Sequence, residues 1–219
     1  MGFLLLLNAL TPLLFAATGL QASYSGERHF IPAYPYLACL SGMGFGTVLA
    51  VLSAAWRGSR QRSDPARARQ VAGAGLALLL VAPLLATVRL HPYELSYYSE
   101  LVGGLGGATR RGLETTFWCE TYQAALPYLD GNAAPGATVW AENPYVLRFY
   151  QNHGMLRDDL RIAGGDLVSP YTADYVVAQT RETGYHYTPE VVSVMNEHEP
   201  AYTLTRGGVA LLHVYRLPG

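Results

Sequence analysis

Arg28 is the residue with the clearest chemical potential in this chain. It lies in Tyr24-Ser25-Gly26-Glu27-Arg28-His29-Phe30-Ile31-Pro32-Ala33-Tyr34-Pro35, which packs charge, histidine and aromatics just before an apolar run. A guanidinium presents a planar fork of donors that matches a phosphate two bonds at a time. With Tyr24, Glu27 and His29 beside it, Arg28 could hold the phosphate of a lipid-linked substrate. The plainer reading is an interfacial anchor, with the aromatics at headgroup depth and Arg28 on Glu27 or a lipid phosphate. Other chemistry is sparse. The six histidines are His29, His91, His153, His186, His198 and His213. None stands at metal-ligand spacing from another histidine, cysteine or acid. No serine occupies a nucleophile elbow. Glu114, Glu120 and Glu142 are enough for a carboxylate pair, but their spacing alone does not bring them together. Gly103-Gly104-Leu105-Gly106-Gly107 is neither a phosphate-binding loop nor a dinucleotide fingerprint, and reads as a turning connector. The sequence therefore offers a binding group at Arg28, no catalytic residue, no metal site and no cofactor site.

The elements that must position these residues follow from an uneven composition. Only 14% of the 219 residues are charged, against about 25% in a typical soluble protein. The apolar residues concentrate in the first 90 positions. Three uncharged runs, about 2–20, 33–56 and 71–88, read as transmembrane helices, since roughly 20 apolar residues cross the hydrocarbon. A signal peptide ending near Phe15-Ala16-Ala17 competes for the first run, but no Lys or Arg precedes it. Gly42, Gly44 and Gly46 suit close approach of a neighbouring helix, and Pro83 suits a kink. Between the second and third runs lie Arg57, Arg60, Arg62, Arg67 and Arg69 against one acid, Asp64. The positive-inside rule makes that loop cytoplasmic and places residues 21–32 and 91–219 outside. The expectation is a multi-pass membrane protein, in a prokaryotic plasma membrane, whose C-terminal domain is extracytoplasmic. The net charge of -1 gives no case for a nucleic-acid partner. Cys39 and Cys119 fall in different parts and are not expected to pair.

Residues 91–219 suffice for one α/β domain with a mixed sheet. Tyr93, Tyr97 and Tyr98, just after the third run, suit a membrane–water boundary. A helical stripe runs from Glu114 to Leu129, with Pro127 expected to kink it or end it early. Residues 137–141, 159–163 and 173–179 read as strands. Pro144 opens a helix ending at Gly154, and 189–197 is a second helix. Arg206-Gly207-Gly208 marks a terminal hairpin.

The stretch His91-Pro92-Tyr93-Glu94-Leu95-Ser96-Tyr97-Tyr98-Ser99-Glu100-Leu101-Val102-Gly103-Gly104, followed by Gly107-Ala108 and Glu114-Thr115-Thr116-Phe117-Trp118, resembles the C-terminal part of family 39 glycosyltransferases. These are the protein-mannosyltransferase and aminoarabinose-transferase-like enzymes of the GT-C fold. Glu27 to Pro35 is similar to the loop before a late span in that family. The similarity covers about residues 24–150. It implies transfer of a sugar from a polyprenyl- or dolichyl-phosphate carrier on the outer side of the membrane. It also implies an acidic base in an early outer loop and basic and aromatic residues on the lipid phosphate. Arg28, with Tyr24, His29 and Glu27, best matches the phosphate-holding role. Two departures stand out. The chain begins at what would be a late span, so the loop with the catalytic acid is expected from a missing N-terminal membrane part. The position after Trp118, Gly in the pattern, is Cys119. The partners implied are a lipid-phosphate-linked sugar, membrane lipids and that missing part. The alternative is a membrane-anchored extracytoplasmic binding or assembly module without a catalytic role.

Overall fold

The computed structural model describes residues 2–18, 27–57, 65–165, 168–180 and 188–218. It divides into two compact units, Met1–Val81 and Ala82–Gly219.

The first unit is helical. Helix α1 is Gly2–Ala17, a tight 3-10 turn spans Glu27–Ala33, α2 is Tyr34–Arg57 and α3 is Pro65–Leu90. α1 packs against α2 and against the 3-10 turn. Small side chains permit this: Ala9 and Ala33 are buried, while leucines along the helices are exposed. Polar residues within these apolar helices return their hydrogen bonds to their own backbone. Asn8 donates to the Leu4 carbonyl at 2.8 Å, Thr47 to Met43 at 2.9 Å and Thr87 to Pro83 at 2.8 Å. Each of these three donors is thereby satisfied on an apolar surface. Among the described residues, two segments are long and apolar enough to cross a membrane, Phe30–Val51 and Arg69–Leu90. The first expected span is a shorter apolar helix, Gly2–Phe15, below the roughly 20 residues a straight crossing needs. A Cβ on Gly42, Gly44 or Gly46 would meet no described atom, so the expected close helix approach is not made there.

The second unit begins within α3, at Ala82, and is an α/β domain. Its helices are α4 (Gly104–Thr109), α5 (Leu126–Asn132), α6 (Pro144–Asn152) and α7 (Pro189–Glu197). Its strands are β1 (Thr138–Ala141), β2 (Arg161–Gly164), β3 (Tyr175–Gln179), β4 (Pro200–Arg206) and β5 (Val209–Arg216), in the order β2-β1-β3-β5-β4. β1 is parallel to both β2 and β3, and β5 runs antiparallel to β3 and β4. The expected mixed sheet is thus present. Side chains alternate across it with the period of a strand. Val139, Ala141, Tyr175, Val177, Leu212 and Val214 face a core with α5 and α6. Trp140, Val176, Ala178 and Tyr215 face a second core with Val191 and Val194 of α7. β3 is buried along its whole length, as the central strand of a sheet covered on both faces must be.

Two local readings change. The helix expected over Glu114–Leu129 is instead an irregular stretch, a 3-10 turn at Glu120–Ala125 and then α5. Cys119 stands in the left-handed region, φ 61°, which breaks any helix across it. Pro127 lies in the first turn of α5, where a missing N–H costs nothing. The glycine-rich connector is also helical. Gly103, at φ 89°, turns the chain into α4, and Gly107 lets that helix lie on the preceding turn.

Candidate functional site

The four residues expected to hold a lipid phosphate fall at the limit of description. Tyr24 lies outside the described residues. Glu27, Arg28 and His29 open the 3-10 turn that runs into α2, and their side chains lie outside the described residues. The backbone puts all three immediately before a helix long enough to span.

The described side chains converge elsewhere, at the carboxyl ends of β1 and β3. β1 leads into α6 on one face of the sheet, whereas the chain after β3 leads to α7 on the other. Adjacent parallel strands whose connections diverge leave a crevice beyond their carboxyl ends, the usual ligand position in an open α/β sheet. Residues 114–122 cross this end. The Thr116 hydroxyl donates to the Thr180 carbonyl at 2.9 Å, and Thr115 to the same oxygen at 3.4 Å. Gln179 Nε2 donates to the Thr121 hydroxyl at 2.7 Å, in full burial. These bonds fix the segment to the end of β3.

Three half-buried carboxylates result. Glu142 is the first residue after β1, and Asn143-Pro144 then starts α6. Glu120 Oε2 accepts the Trp118 N–H at 2.9 Å, while its Oε1 is buried with no partner among the described residues. Glu114 opens the crossing segment, and its backbone carbonyl accepts the Tyr98 hydroxyl. Tyr122 is fully buried beside Glu142. Its hydroxyl oxygen accepts the Asn143 N–H at 3.4 Å. Burial, then the neighbouring Cys119 and Glu142, push the Tyr122 phenol well above its ordinary range. Tyr150 is raised by burial, Cys119 and Glu120. Both phenols are therefore protonated donors near neutral pH. Glu142 thus faces Tyr122 and Glu120 faces Tyr150, with Cys119 near both phenols, a grouping their sequence positions did not reveal. Beside it, Tyr93 is raised mainly by its own burial, although Arg206 lies 5.1 Å from its ring centroid.

The half-buried Glu120 and Glu142 offer carboxylate acceptors, and the buried Tyr122 braces Glu142 from within. Trp118 is 62% exposed and Tyr145, in the first turn of α6, is 74% exposed. Acceptors and exposed ring faces suit a polyhydroxylated ligand. Among the described residues, no group of three or more His, Cys, Asp or Glu side chains could hold a metal ion. Cys119 is buried in acidic and phenolic company, not the electropositive setting of a nucleophilic thiol. Sequence reasoning missed Tyr122 and Tyr150 because both read as apolar positions of a helix. The one available signal was Glu142-Asn143-Pro144 directly after a buried strand.

Comparison of the chain with protein-family models, with curated proteins and with solved structures returns no match.

Proposed function

We propose that this chain is the C-terminal membrane and outer-domain part of a glycosyltransferase of the family 39 kind, taking its sugar from a polyprenyl- or dolichyl-phosphate carrier. The observation that carries the reading is the continuity between α3 and the resembling stretch. A helix of spanning length ends at Leu90, and residues 91–118 lead from it directly into an α/β domain. In this reading α1 is a third span and the arginine-bearing loop is cytoplasmic. The α/β domain faces the outside of a prokaryotic plasma membrane. Arg28, with Tyr24, Glu27 and His29, holds the carrier phosphate just outside the second span. The general base comes from loops that the resemblance places N-terminal to the matched part. Base and phosphate clamp must meet around one substrate.

The test is a transfer assay in membranes with a radiolabelled polyprenyl-phosphate sugar. It compares this chain alone with the chain joined to, or co-expressed with, upstream spans. Activity only in the completed enzyme supports the reading. There, Arg28→Ala should cut transfer at least tenfold without altering membrane insertion. Wild-type transfer by that variant returns Arg28 to an interfacial anchor.

The crevice at β1 and β3 favours a second reading, a membrane-anchored extracytoplasmic module that binds a hydroxyl-rich ligand without catalysis. No transfer in either preparation, together with saccharide binding that Glu120→Gln and Glu142→Gln weaken, would establish it.

A further inference from the structure

We infer that the turn segment after α3 is a second membrane contact, through which the α/β domain rests on the lipid surface. The inference rests on the membrane placement of α3 and on side chains of the second unit alone. Leu90, the last residue of α3, is buried in the same core as Tyr93, Leu105 and Leu212. No linker separates helix from domain, so a spanning α3 brings the domain to the bilayer surface. The last turns of α3 expose Leu84, Leu85 and Val88.

The segment that follows has an unexpected polarity. Its tyrosines, which suit headgroup depth by type, turn inward. Tyr93 is buried, Tyr98 donates to the Glu114 carbonyl, and Tyr97 donates to Glu100 at 3.3 Å. Its leucines turn outward: Leu95 is 51% exposed and Leu101 is 96% exposed. Leu101 sits at the middle of the 3-10 turn Glu100–Val102, which two arginines flank. Arg111 Nη1 donates to the Val102 carbonyl at 2.6 Å and the Gly107 carbonyl at 2.9 Å. The exposed Arg110 side chain folds back beside Gly103 and Gly106. A fully exposed leucine beside guanidinium groups fits a leaflet boundary, with the alkyl group among acyl chains and the cations among phosphates. Leu95 follows Leu90 by five residues, so it lies within about 18 Å of the end of α3. Glu94 and Glu100 share the segment with Arg89, Arg110 and Arg111, so the net charge is slight and the leucines carry the contact. The surface is therefore a lipid leaflet, zwitterionic or anionic, rather than a specific lipid.

The test uses the full chain with Cys39→Ser, reconstituted in phosphatidylcholine vesicles. An environment-sensitive fluorophore is placed singly at Leu101→Cys, at Leu79→Cys within α3, and at Asp158→Cys before β2. Brominated lipids then report contact with acyl chains. We expect quenching at Leu79 and Leu101, at least threefold stronger at Leu101 than at Asp158. Substituting a side chain as exposed as Leu101 leaves the core untouched, so a folded variant is expected. Quenching at Leu79 with none at Leu101 overturns the inference and leaves α3 as a span. No quenching at Leu79 overturns the membrane placement of α3, and the inference with it. A probe at Leu101 shielded from aqueous iodide yet blind to brominated lipid means that protein covers it, which also overturns the inference.

Discussion

Position 119 gives a sharp test of the backbone that builds the crevice. Cys119 is the only non-glycine residue with positive φ among the described residues, φ 61° and ψ 18°. An L side chain in that region costs about 1–2 kcal/mol, which glycine avoids. At an ordinary buried position, Cys→Gly is worse than Cys→Ala. Glycine loses about 0.5–1 kcal/mol more backbone entropy, and the missing methyl forfeits about 0.8 kcal/mol of burial. The deficit is then about 1.5 kcal/mol. The left-handed backbone returns about the same amount, so Cys119→Gly and Cys119→Ala should have equal stability within about 0.5 kcal/mol. Pulse proteolysis of the full chain in nanodiscs across a urea series measures this. A glycine variant weaker than the alanine variant by 1.5 kcal/mol or more would refute a left-handed residue 119. The glycine that the resembling pattern carries there would then have another cause.

Other expectations follow from single contacts. A Cβ on Gly107 would penetrate the Val102 carbonyl oxygen and lie 2.7 Å from its carbon, with backbone on both sides. Gly107→Ala should therefore destabilise the domain by about 3 kcal/mol, as a forced backbone shift does, visible in the same proteolysis assay. His213 is half-buried, with Nδ1 2.9 Å from the Thr203 hydroxyl, and burial holds its pKa below the usual 6.5. The folded state then binds its proton less readily than the unfolded chain. Stability from this residue is complete above about 6.5 and falls as pH drops below it. His213→Gln should flatten the urea midpoint between pH 7 and 5. The Arg157 guanidinium, 2.7 Å away, holds the Asp159 carboxyl at about 2. That contribution is present above the ordinary 3.8 and disappears as pH falls through about 2. Asp159→Asn should lose this acid-limb dependence in a titration of stability, with little change at pH 7 beyond the lost pair.

Legibility in the sequence followed the range of the interactions. The α7 limits and the terminal hairpin were readable because each depends on neighbours in the chain. Pro189 fixes the first turn of α7, and Gly207 and Gly208, both at positive φ, make the turn between β4 and β5. The mixed sheet was readable as a class, but its strand order was not, since pairing β1 with β3 is decided by burial on two faces. The stripe from Trp118 to Leu129 looked helical because apolar spacing does not sense one left-handed residue. The carboxylates of the crevice were visible as residues and invisible as a group: Glu120 and Glu142 are 22 positions apart, Glu142 acting on Tyr122 and Glu120 on Tyr150, with Cys119 near both phenols. Arg28 is the reverse case, chemically legible in sequence, with its side chain outside the described residues.

Residues 91–118, on which the proposed family reading rests, have structural reasons of their own, and these separate fold from chemistry. Gly107 is required by the Val102 carbonyl, and Gly103 by its left-handed backbone. Tyr98 is held by the Glu114 carbonyl, Ser99 caps the turn of Leu101, and Thr116 is tied to the end of β3. Each of these residues shapes the passage from α3 into the sheet. None is a free acid, base or nucleophile. These residues therefore account for the joint between α3 and the domain without any reaction being invoked. Any chemistry falls to residues the joint does not use: Arg28 ahead of α2, and Glu120 and Glu142 at the crevice. Variants at those positions distinguish a transferase from a binding module. Variants at Gly103, Gly107, Tyr98 and Thr116 report mainly on folding, and loss of activity from them would say nothing about the reaction.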